Sequence, residues 1–244
     1  MPRPRGRGKR EAIARGPPRS GGIAIPDEAL YNPPDMPRFF VERITHPAML
    51  SEPESRHAVK SLRLSLGDRV VVFDPHESWS GEIESTEGRV RIRLVEKLAR
   101  PQIPLVKVAA AVPKGGRLDW MVEKLAELGV AELIPIRFAR SVAELGESKR
   151  KRLEKLALAA AKQSGAPVMQ IGTERRAGEL PGDAILAHPG SDAPLPAGAG
   201  LVVIGPEGGL TPEEESRFAR RFTLGPTILR IETAAVVAAA RLLL

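Results

Sequence analysis

The sequence of 244 residues predicts an α/β protein with two parts, a small β domain followed by a larger domain around a mostly parallel sheet. Three observations support this prediction. Short strand-like segments follow one another closely between residues 36 and 100, a spacing typical of a small barrel. After residue 104, apolar strands alternate with amphipathic helices, as they do in parallel sheets. The segment between the two parts, residues 100–104, has the composition of a linker.

The first 35 residues differ from the rest of the chain. Arg, Gly and Pro are abundant in them, and no apolar periodicity is present. A segment of this composition cannot form a packed core, so residues 1–35 are predicted to be a disordered basic extension. The alternative is a start codon assigned too early, with Met36 as the true start; this alternative rests on a resemblance described below.

The net charge of +7 is unevenly distributed. Residues 1–20 carry +6 and residues 21–35 carry −3, so the remainder, from residue 36 onwards, carries only +4. A charge this small gives the folded part no strong overall field for attracting nucleic acid. If that part binds RNA, it does so through a local patch of Lys and Arg.

In the first domain, the pattern predicts four strands and one short helix. The strands cover residues 39–44, 69–74, 80–85 and 89–95, and the helix covers residues 54–64. In the last strand apolar and basic residues alternate, which places Arg89, Arg91 and Arg93 on one outward face. Two interpretations stay open, because these arginines could lie along RNA phosphates or simply form a solvated strand face.

In the second domain, strands and helices are predicted to alternate. Strands cover residues 105–112, 131–138 and 183–190, the last running into a turn, and helices cover residues 118–128 and 149–164. Gly129 and Gly165 follow the two helices directly, at the position where a left-handed residue commonly ends a helix. This alternation predicts a mostly parallel sheet with helices on both faces.

The segment after residue 201 carries the strongest signal. Residues 202–204 predict a buried strand that stops at Gly205. A helix start follows at once, with Thr211 at the N-cap and Glu214 closing a capping box. The strand and the helix are joined by a loop that contains Glu-Gly-Gly at residues 207–209. Ligand atoms can approach this loop closely because glycine has no Cβ.

The same arrangement recurs near the C-terminus. Leu224 is predicted to end another short strand, Gly225-Pro226 forms the turn, and an apolar helix runs from about residue 232 to the end. Two Gly-Pro loops at the ends of neighbouring strands predict a crevice at the carboxyl edge of the sheet, where α/β proteins usually bind ligands. Each loop alone would more simply be an ordinary strand-to-helix turn.

Several classes of protein are disfavoured by what the sequence lacks. It has no dinucleotide-binding glycine fingerprint and no Walker motif. It has no cysteine, and its four histidines show no metal-ligand spacing, so no metal site is expected. No run of about eighteen apolar residues occurs, so no membrane association is expected either, and the composition is compatible with the cytoplasm.

Six segments of the sequence carry a specific signal when they are taken together. They are Ile204-Gly-Pro-Glu-Gly-Gly-Leu-Thr-Pro-Glu-Glu214, Leu224-Gly-Pro-Thr-Ile-Leu-Arg-Ile-Glu-Thr-Ala234, Val112-Pro-Lys-Gly-Gly-Arg-Leu-Asp-Trp120, Lys124-Leu-Ala-Glu-Leu-Gly129, Arg140-Ser-Val142 and Ala160-Ala-Lys-Gln-Ser-Gly165. Through these segments the chain resembles the RsmE family, 16S rRNA uracil-N3 methyltransferases of the SPOUT superfamily, over about residues 36–244. Ala139 and Ala166 depart from the family pattern, which normally has a glutamate and an arginine there.

The resemblance carries expectations that periodicity cannot supply. It implies a SPOUT-type trefoil-knotted α/β methyltransferase domain over residues 104–244, preceded by a PUA-like RNA-binding β-barrel over residues 36–100. It implies S-adenosyl-L-methionine as cofactor, 16S rRNA in the small ribosomal subunit as partner, a homodimer, and a cytoplasmic location. The segment beginning at Met36 resembles the family's own N-terminus, which is the basis for the misassigned-start alternative.

Site residues also follow from the resemblance. Three loops are expected to enclose the cofactor: Leu186, Ala187, His188, Pro189, Gly190, Ile204, Gly205, Pro206, Gly208, Gly209, Leu224, Gly225, Ile228, Leu229, Arg230 and Thr233. The expected RNA-binding residues are Arg38, Arg63, Lys114, Arg117 and Arg140.

Methylation of uracil N3 also requires loss of a proton and stabilisation of the resulting charge. Arg230 suits the second task. Glu232 or Glu207 could accept the proton. The alternatives stay open, since Glu232 could merely complement a helix dipole and Glu207 could merely cap a loop. A non-catalytic RNA-binding assembly protein with the same fold is the competing function.

Overall fold

Two separate hydrophobic cores organise the part of the chain that the computed structural model describes, residues 36–100 and 102–244. The first core lies in a five-stranded sheet, and the second lies in a sheet that carries the strand-to-helix loops. The predicted extension or misassigned start, residues 1–35, lies outside the described residues.

The elements of the first domain are β1 (Arg38–Phe40), β2 (Ala48–Met49), α1 (Glu52–Arg56), a π-helical turn (His57–Ser61), β3 (Arg69–Phe73), β4 (Ser78–Ser85) and β5 (Arg91–Leu98). The five strands form a sheet with the order β1-β3-β4-β5-β2. Only the β1–β3 pair is parallel, and the other three pairs are antiparallel. The core of this domain contains Phe39, Val70, Val72 and Ile92, all fully buried.

All predicted elements of this domain have somewhat different bounds in the structure: the strands predicted at 69–74, 80–85 and 89–95 cover Arg69–Phe73, Ser78–Ser85 and Arg91–Leu98. The two largest differences concern the first strand and the helix. The predicted strand 39–44 ends at Phe40, because the N–H of Ile44 donates to the Asp74 carboxylate and not to a neighbouring strand. The predicted helix 54–64 starts earlier, at Glu52, because the Ser51 hydroxyl accepts from the Glu54 N–H and forms the N-cap. The helix continues only as the π-helical turn and ends before Arg63, whose φ is 57°.

The buried carboxylate of Asp74 holds the loop between β3 and β4. Its oxygens accept hydrogen bonds from the N–H groups of His76 at 2.7 Å, Glu77 at 2.8 Å and Ile44 at 3.0 Å. Burial alone would raise the pKa of Asp74, but these backbone donors outweigh burial and lower the pKa below its ordinary value. The ionised form therefore stabilises the fold.

We expect Asp74→Asn to destabilise the protein by about 1–3 kcal/mol at pH 7, since an amide has only one acceptor oxygen for three donors. The pKa of Asp74 is lowered on folding, so its contribution is complete above the unfolded pKa and is lost as pH falls through the folded pKa. The difference in unfolding free energy between wild type and variant should therefore shrink below about pH 4. Denaturant titrations at pH 7 and pH 3 measure this, and an equal difference at both would contradict it.

The strands of the second sheet are β6 (Lys107–Ala111), β7 (Glu132–Arg137), β8 (Gln170–Ile171), β9 (Arg175–Arg176), β10 (Ile185–Ala187), β11 (Leu201–Ile204) and β12 (Arg220–Phe222). This sheet is parallel in every pair and has the order β12-β10-β11-β6-β7-β8, with β9 also pairing with β7. Parallel sheets need both faces covered, and the central strands of this sheet are correspondingly apolar.

Four α-helices accompany this sheet among the described residues: α2 (Arg117–Glu127), α3 (Glu147–Ser164), α4 (Pro212–Glu215) and α5 (Ile231–Leu243), with a short 3-10 helix at Ala177–Glu179. The predicted helix ends are confirmed, because Gly129 and Gly165 have φ of 85° and 79°. The predicted capping box is also confirmed: the Thr211 hydroxyl accepts from the Glu214 N–H, and the Glu214 carboxylate accepts from the Thr211 N–H.

Two predictions about the C-terminal strands are wrong. The last strand ends at Phe222 and not at Leu224, because the N–H of Thr223 turns away to the carbonyl of Ala193 at 2.8 Å. The strands β11 and β12 are not neighbours, because β10 lies between them and pairs with both. The loop that follows β10 is therefore the middle one of three at the sheet edge.

An ion pair links the two domains. Lys162 on α3 binds the carboxylate of Glu54 on α1, and both side chains are mostly buried. The strand β1 also lies close to α3. The first domain is thus attached to the second domain at α3.

Two absences concern the described residues alone. Within 36–100 and 102–244, no helix is long and apolar enough to cross a membrane. In the same part of the chain, no group of three or more His, Cys, Asp or Glu side chains is placed to hold a metal ion.

Candidate active site

Three loops meet where the parallel strands β10, β11 and β12 end, and they enclose a cavity of about 300 Å³. We call it the three-loop cavity. Many of the predicted cofactor-binding residues line it: Ala187, His188, Pro189, Ile204, Gly205, Pro206, Gly209, Leu224, Gly225, Ile228 and Leu229. The structure therefore brings residues from all three predicted loops together.

Five predicted cofactor-binding residues are not among those lining this cavity. Leu186 is fully buried within β10, and Thr233 is half-buried in the first turn of α5. Gly190 follows the lining residues and donates its N–H to His188 Nδ1 at 3.1 Å. A Cβ at Gly208 would face Arg140, 3.2 Å from its Cβ. Arg230 lies at an adjacent opening.

Other lining residues were not predicted. They are Leu210, Glu215, Thr223, Thr227, Ile231 and Ala234, together with Glu207, which was predicted for catalysis alone. Thr223 joins the loop because β12 ends one residue before it. Ile231 and Ala234 lie on one face of α5, and the i, i+3 spacing in the predicted last helix was the signal that could have found them.

The middle wall of the cavity combines a histidine with a carboxylate. His188 Nε2 lies 3.5 Å from Glu215 Oε1, and Glu215 Oε2 lies 3.3 Å from Arg221. Because His188 Nδ1 accepts the Gly190 N–H, its other nitrogen is the one that can donate to Glu215. This chain of contacts holds the loop after β10 against α4.

Arg140 braces the loop that follows β11. Its guanidinium donates from Nη1 to the carbonyls of Gly208 at 3.1 Å and Leu210 at 3.3 Å. The neighbouring N–H of Ala139 donates to the Glu214 carboxylate at 2.7 Å. Arg140 was predicted to bind RNA; in the structure its guanidinium is engaged with the backbone of a cavity loop.

A second, open cavity of about 560 Å³ adjoins the first and shares Glu207, Ile228 and Leu229 with it. Its other lining residues are Arg117 and Arg230, so we call it the two-arginine cavity. Arg117, the first residue of α2, and Arg230, the N-cap of α5, come from distant parts of the sequence.

Charges of both signs meet at this second cavity. Arg117 Nη1 lies 2.6 Å from Glu207 Oε1 and 3.9 Å from Glu232 Oε1. The Arg117 Nε donates to the carbonyl of Lys114 at 3.3 Å, which fixes the guanidinium further. Glu232 is buried, only 6 % exposed, and its Oε2 has no hydrogen-bond partner among the described residues. The predicted catalytic residues Glu207 and Glu232 thus share one arginine.

Of the remaining predicted RNA-binding residues, Lys114 lies beside the two-arginine cavity, where its carbonyl accepts from Arg117, whereas Arg38 and Arg63 line neither cavity. Arg38 places its guanidinium 4.8 Å from the centre of the Phe73 ring, and Arg63 has the strained positive φ noted above. Two of the arginines predicted on one outward strand face are paired with glutamates. Arg91 lies 3.1 Å from Glu84, and Arg93 forms an ion pair with Glu82. These cross-strand pairs favour the interpretation of a solvated strand face over a row of phosphate contacts.

Comparison with known proteins gives a consistent result. A family model of an RNA methyltransferase domain matches residues 101–243, and a model of an RNA methyltransferase PUA domain matches residues 50–95. The chain is 31 % identical over 243 residues to ribosomal RNA small subunit methyltransferase E of Bacillus subtilis, covering 83 % of this chain and 94 % of that protein.

A solved structure agrees with these matches. Ribosomal RNA small subunit methyltransferase E from Neisseria gonorrhoeae, bound to S-adenosyl methionine, is 26 % identical to this chain. It superimposes with a TM-score of 0.72, covering 84 % of this chain and 96 % of that one.

A further sequence relative has the same name. The ribosomal RNA small subunit methyltransferase E of Mycobacterium tuberculosis is 28 % identical over 229 residues, covering 78 % of this chain and 84 % of that protein.

Proposed function

This chain belongs to the RNA methyltransferase family that includes ribosomal RNA small subunit methyltransferase E, and we propose that it transfers a methyl group from S-adenosylmethionine to N3 of a uridine in 16S rRNA. The observation that carries the proposal is the pair of adjoining cavities. One is enclosed by three loops at the strand ends, and the other is lined by two arginines and a glutamate. Cofactor and acceptor base can therefore meet at their shared wall.

The residues of the three-loop cavity fit S-adenosylmethionine. Leu210, Leu224 and Leu229 offer apolar surface for an adenine ring, and the glycine-rich backbone offers N–H and C=O groups for its edge. Glu215 supplies a carboxylate for the cationic end of the methionyl part. When bound, the cofactor supplies an electrophilic methyl group on a sulfonium.

The residues of the two-arginine cavity fit the acceptor base. Holding base and cofactor in line supplies about 7–11 kcal/mol of the barrier reduction through orientation alone. Arg230 stabilises the negative charge that spreads onto the uracil oxygens as N3 loses its proton. Glu207 or Glu232 accepts that proton.

Finer features of the family complete the proposal. Residues 36–100 form a PUA-like barrel that grips RNA with Arg38 and Arg63, and Lys114 contacts RNA beside the cavities. Residues 104–244 form the methyltransferase domain, whose chain passes through a trefoil knot. The enzyme acts in the cytoplasm, where its ribosomal substrate is found.

Nucleoside analysis tests the proposed function. Small subunits and free 16S rRNA are incubated with the protein and methyl-labelled S-adenosylmethionine, digested, and separated by mass spectrometry. We expect labelled 3-methyluridine at one position, and the preferred substrate identifies whether free or assembled rRNA is used. Label in another nucleoside would contradict methylation at N3 of uridine. If calorimetry detects no binding of S-adenosylmethionine, the proposal that the chain is a methyltransferase using this cofactor is wrong.

We also propose a homodimer that builds each active site from both chains. The helix α5 supports it, because Val236, Val237 and Leu242 are only half-buried by their own chain and Leu244 is 88 % exposed. Apolar side chains on several faces of one helix need a partner surface.

If sites are shared, mixing Arg230→Ala with Arg38→Ala chains should restore activity, because each heterodimer has one site with both arginines intact. Light scattering at micromolar concentration should give twice the chain mass of 26.3 kDa. A single-chain mass, or purified heterodimers without activity, would contradict the shared site.

A further inference from the structure

The two-arginine cavity contains the kinds of polar group that one nucleobase requires. Arg117 and Arg230 each carry a guanidinium that can donate hydrogen bonds, and the carboxylate of Glu207 can accept one, as it does from Arg117. The edge of uracil presents O2, N3–H and O4, which is acceptor, donor, acceptor. Donor, acceptor, donor is the complementary arrangement.

We propose, resting on the proposed function, that Arg117 is a further catalytic residue that binds one uracil carbonyl oxygen while Arg230 binds the other and Glu207 takes the N3 proton. Arg117 was predicted from the sequence to contact RNA in general. The cavity geometry gives it a contact to the reacting base instead.

The choice between the two glutamates follows from their positions. Glu207 lines both cavities, its side chain is 45 % exposed, and only its Oε1 is hydrogen-bonded to Arg117. The side chain of Glu232 is 8 % exposed, and Glu232 is not among the lining residues of either cavity. Glu207 can therefore reach a base in the cavity, whereas Glu232 is the buried countercharge that holds Arg117 in place.

A phosphate contact is a poor alternative for Arg117. Its side chain is only 33 % exposed, and its guanidinium already binds Glu207 and the carbonyl of Lys114. The cluster of Arg117, Arg230, Glu207 and Glu232 has no net charge, so it does not attract a phosphate strongly. A neutral base does not need a net charge in the site, because its polar groups can pair with the individual donors and acceptors.

The reaction balances with these groups. The N3–H bond breaks and its proton moves to the Glu207 carboxylate, while the electron pair left on N3 forms the new bond to the methyl carbon. The carbon–sulfur bond breaks with its electron pair on sulfur, which gives neutral S-adenosylhomocysteine. The proton then leaves Glu207 to water, so the carboxylate is regenerated.

The same pattern excludes cytosine. Cytosine carries no proton on N3, and its exocyclic amine would point a donor at a guanidinium donor. Two donors that face each other are unfavourable, so Arg117 and Arg230 contribute to base specificity as well as to rate.

The test compares Arg117→Ala with Arg117→Lys and with Arg152→Ala as a matched control. Arg152 also forms a close ion pair, with Asp119 at 2.6 Å, but lies on α3 and lines neither cavity. We expect the single-turnover rate of Arg117→Ala to fall by about 10²–10³-fold, Lys to restore part of it, and the control to stay at wild type. Affinity for rRNA and its salt dependence should stay unchanged.

Two further comparisons locate the contacts. Glu207→Gln should lower the single-turnover rate by about 10²–10⁴-fold, and Glu232→Gln should lower it less. In RNA that carries 2-thiouridine or 4-thiouridine at the methylated position, sulfur replaces one carbonyl oxygen and is a weaker hydrogen-bond acceptor. Each thio substitution should lower the single-turnover rate of the wild-type protein. One of the two should have no further effect on the rate of Arg117→Ala, because that variant already lacks the donor to the substituted oxygen.

Several outcomes would overturn the inference. Weaker rRNA binding with a smaller salt slope and a normal rate would make Arg117 a phosphate contact. Independent effects of both thio substitutions would show that Arg117 touches neither oxygen. If wild type binds S-adenosylmethionine yet forms no 3-methyluridine, the proposed function fails, and this inference with it.

Discussion

Replacing Arg230 with alanine should lower the single-turnover rate of methyl transfer by about 10²–10³-fold, with little change in the affinity for S-adenosylmethionine. Arg230 lines the two-arginine cavity with an exposed side chain, and that side chain does not cap α5. Its loss removes a cation from the place where charge develops on the base, which typically costs this much in rate. Rapid-quench measurement with saturating cofactor and rRNA isolates the step.

Two variants control this result. Arg230→Lys keeps the charge and should retain more activity than alanine, though less than wild type, because an ammonium lacks the planar fork of arginine. Arg220→Ala removes another exposed arginine, from β12, and should behave as wild type. A normal rate in Arg230→Ala would remove Arg230 from the catalytic groups.

Gly209→Val should weaken binding of S-adenosylmethionine by about tenfold or more. Gly209 has φ of 72° and donates its N–H to the carbonyl of Pro206 at 2.9 Å, so it closes the turn that shapes the cavity wall. A left-handed conformation costs an ordinary L-residue about 1–2 kcal/mol and a β-branched residue more, so the turn should leave this shape. Calorimetric titration of the cofactor measures the change.

Gly88→Val is the matched control for this strain. Gly88 has φ of 70° in the turn between β4 and β5, and a Cβ there would meet no atom within 4 Å. Gly88→Val should lower the free energy of unfolding to a similar degree as Gly209→Val and leave the affinity for S-adenosylmethionine unchanged. Equal cofactor affinity in both variants would mean that the turn at Gly209 is not part of the binding site.

Local chemistry made parts of this structure predictable from the sequence. The start of α4 was predicted residue by residue, because a capping box involves only the residues from Thr211 to Glu214. The ends of α2 and α3 were predicted for the same reason, since glycine tolerates the left-handed conformation that ends a helix. Such signals need no knowledge of the rest of the fold.

Long-range arrangement was not predictable in this way. Nothing in residues 183–190 indicates that β10 inserts between β11 and β12, because parallel pairing partners are set by topology. The clustering of Arg117 with Glu207 joins residues 90 positions apart, and no periodicity records such a meeting. The resemblance to a family identified the loops, and the three-dimensional structure was needed to separate the possible roles of Glu207 and Glu232.

The departure at Ala139 illustrates the same point. The family pattern has a glutamate at this position, and alanine cannot make a polar contact with its side chain. The backbone N–H of Ala139 nevertheless binds the Glu214 carboxylate at 2.7 Å, a bond that any residue except proline could make. The loop junction is therefore held by the main chain and is indifferent to this substitution.

The ion pair between Glu54 and Lys162 fixes the spacing between the two domains of one chain. With α1 held to α3, the first domain stands at a set distance from the two cavities of its own chain. If that domain binds rRNA as proposed above, this spacing, together with the packing of the two chains in the proposed dimer, limits which uridine can reach a cavity. A base pair inserted or deleted between the bound rRNA segment and the target uridine should then reduce methylation of that uridine.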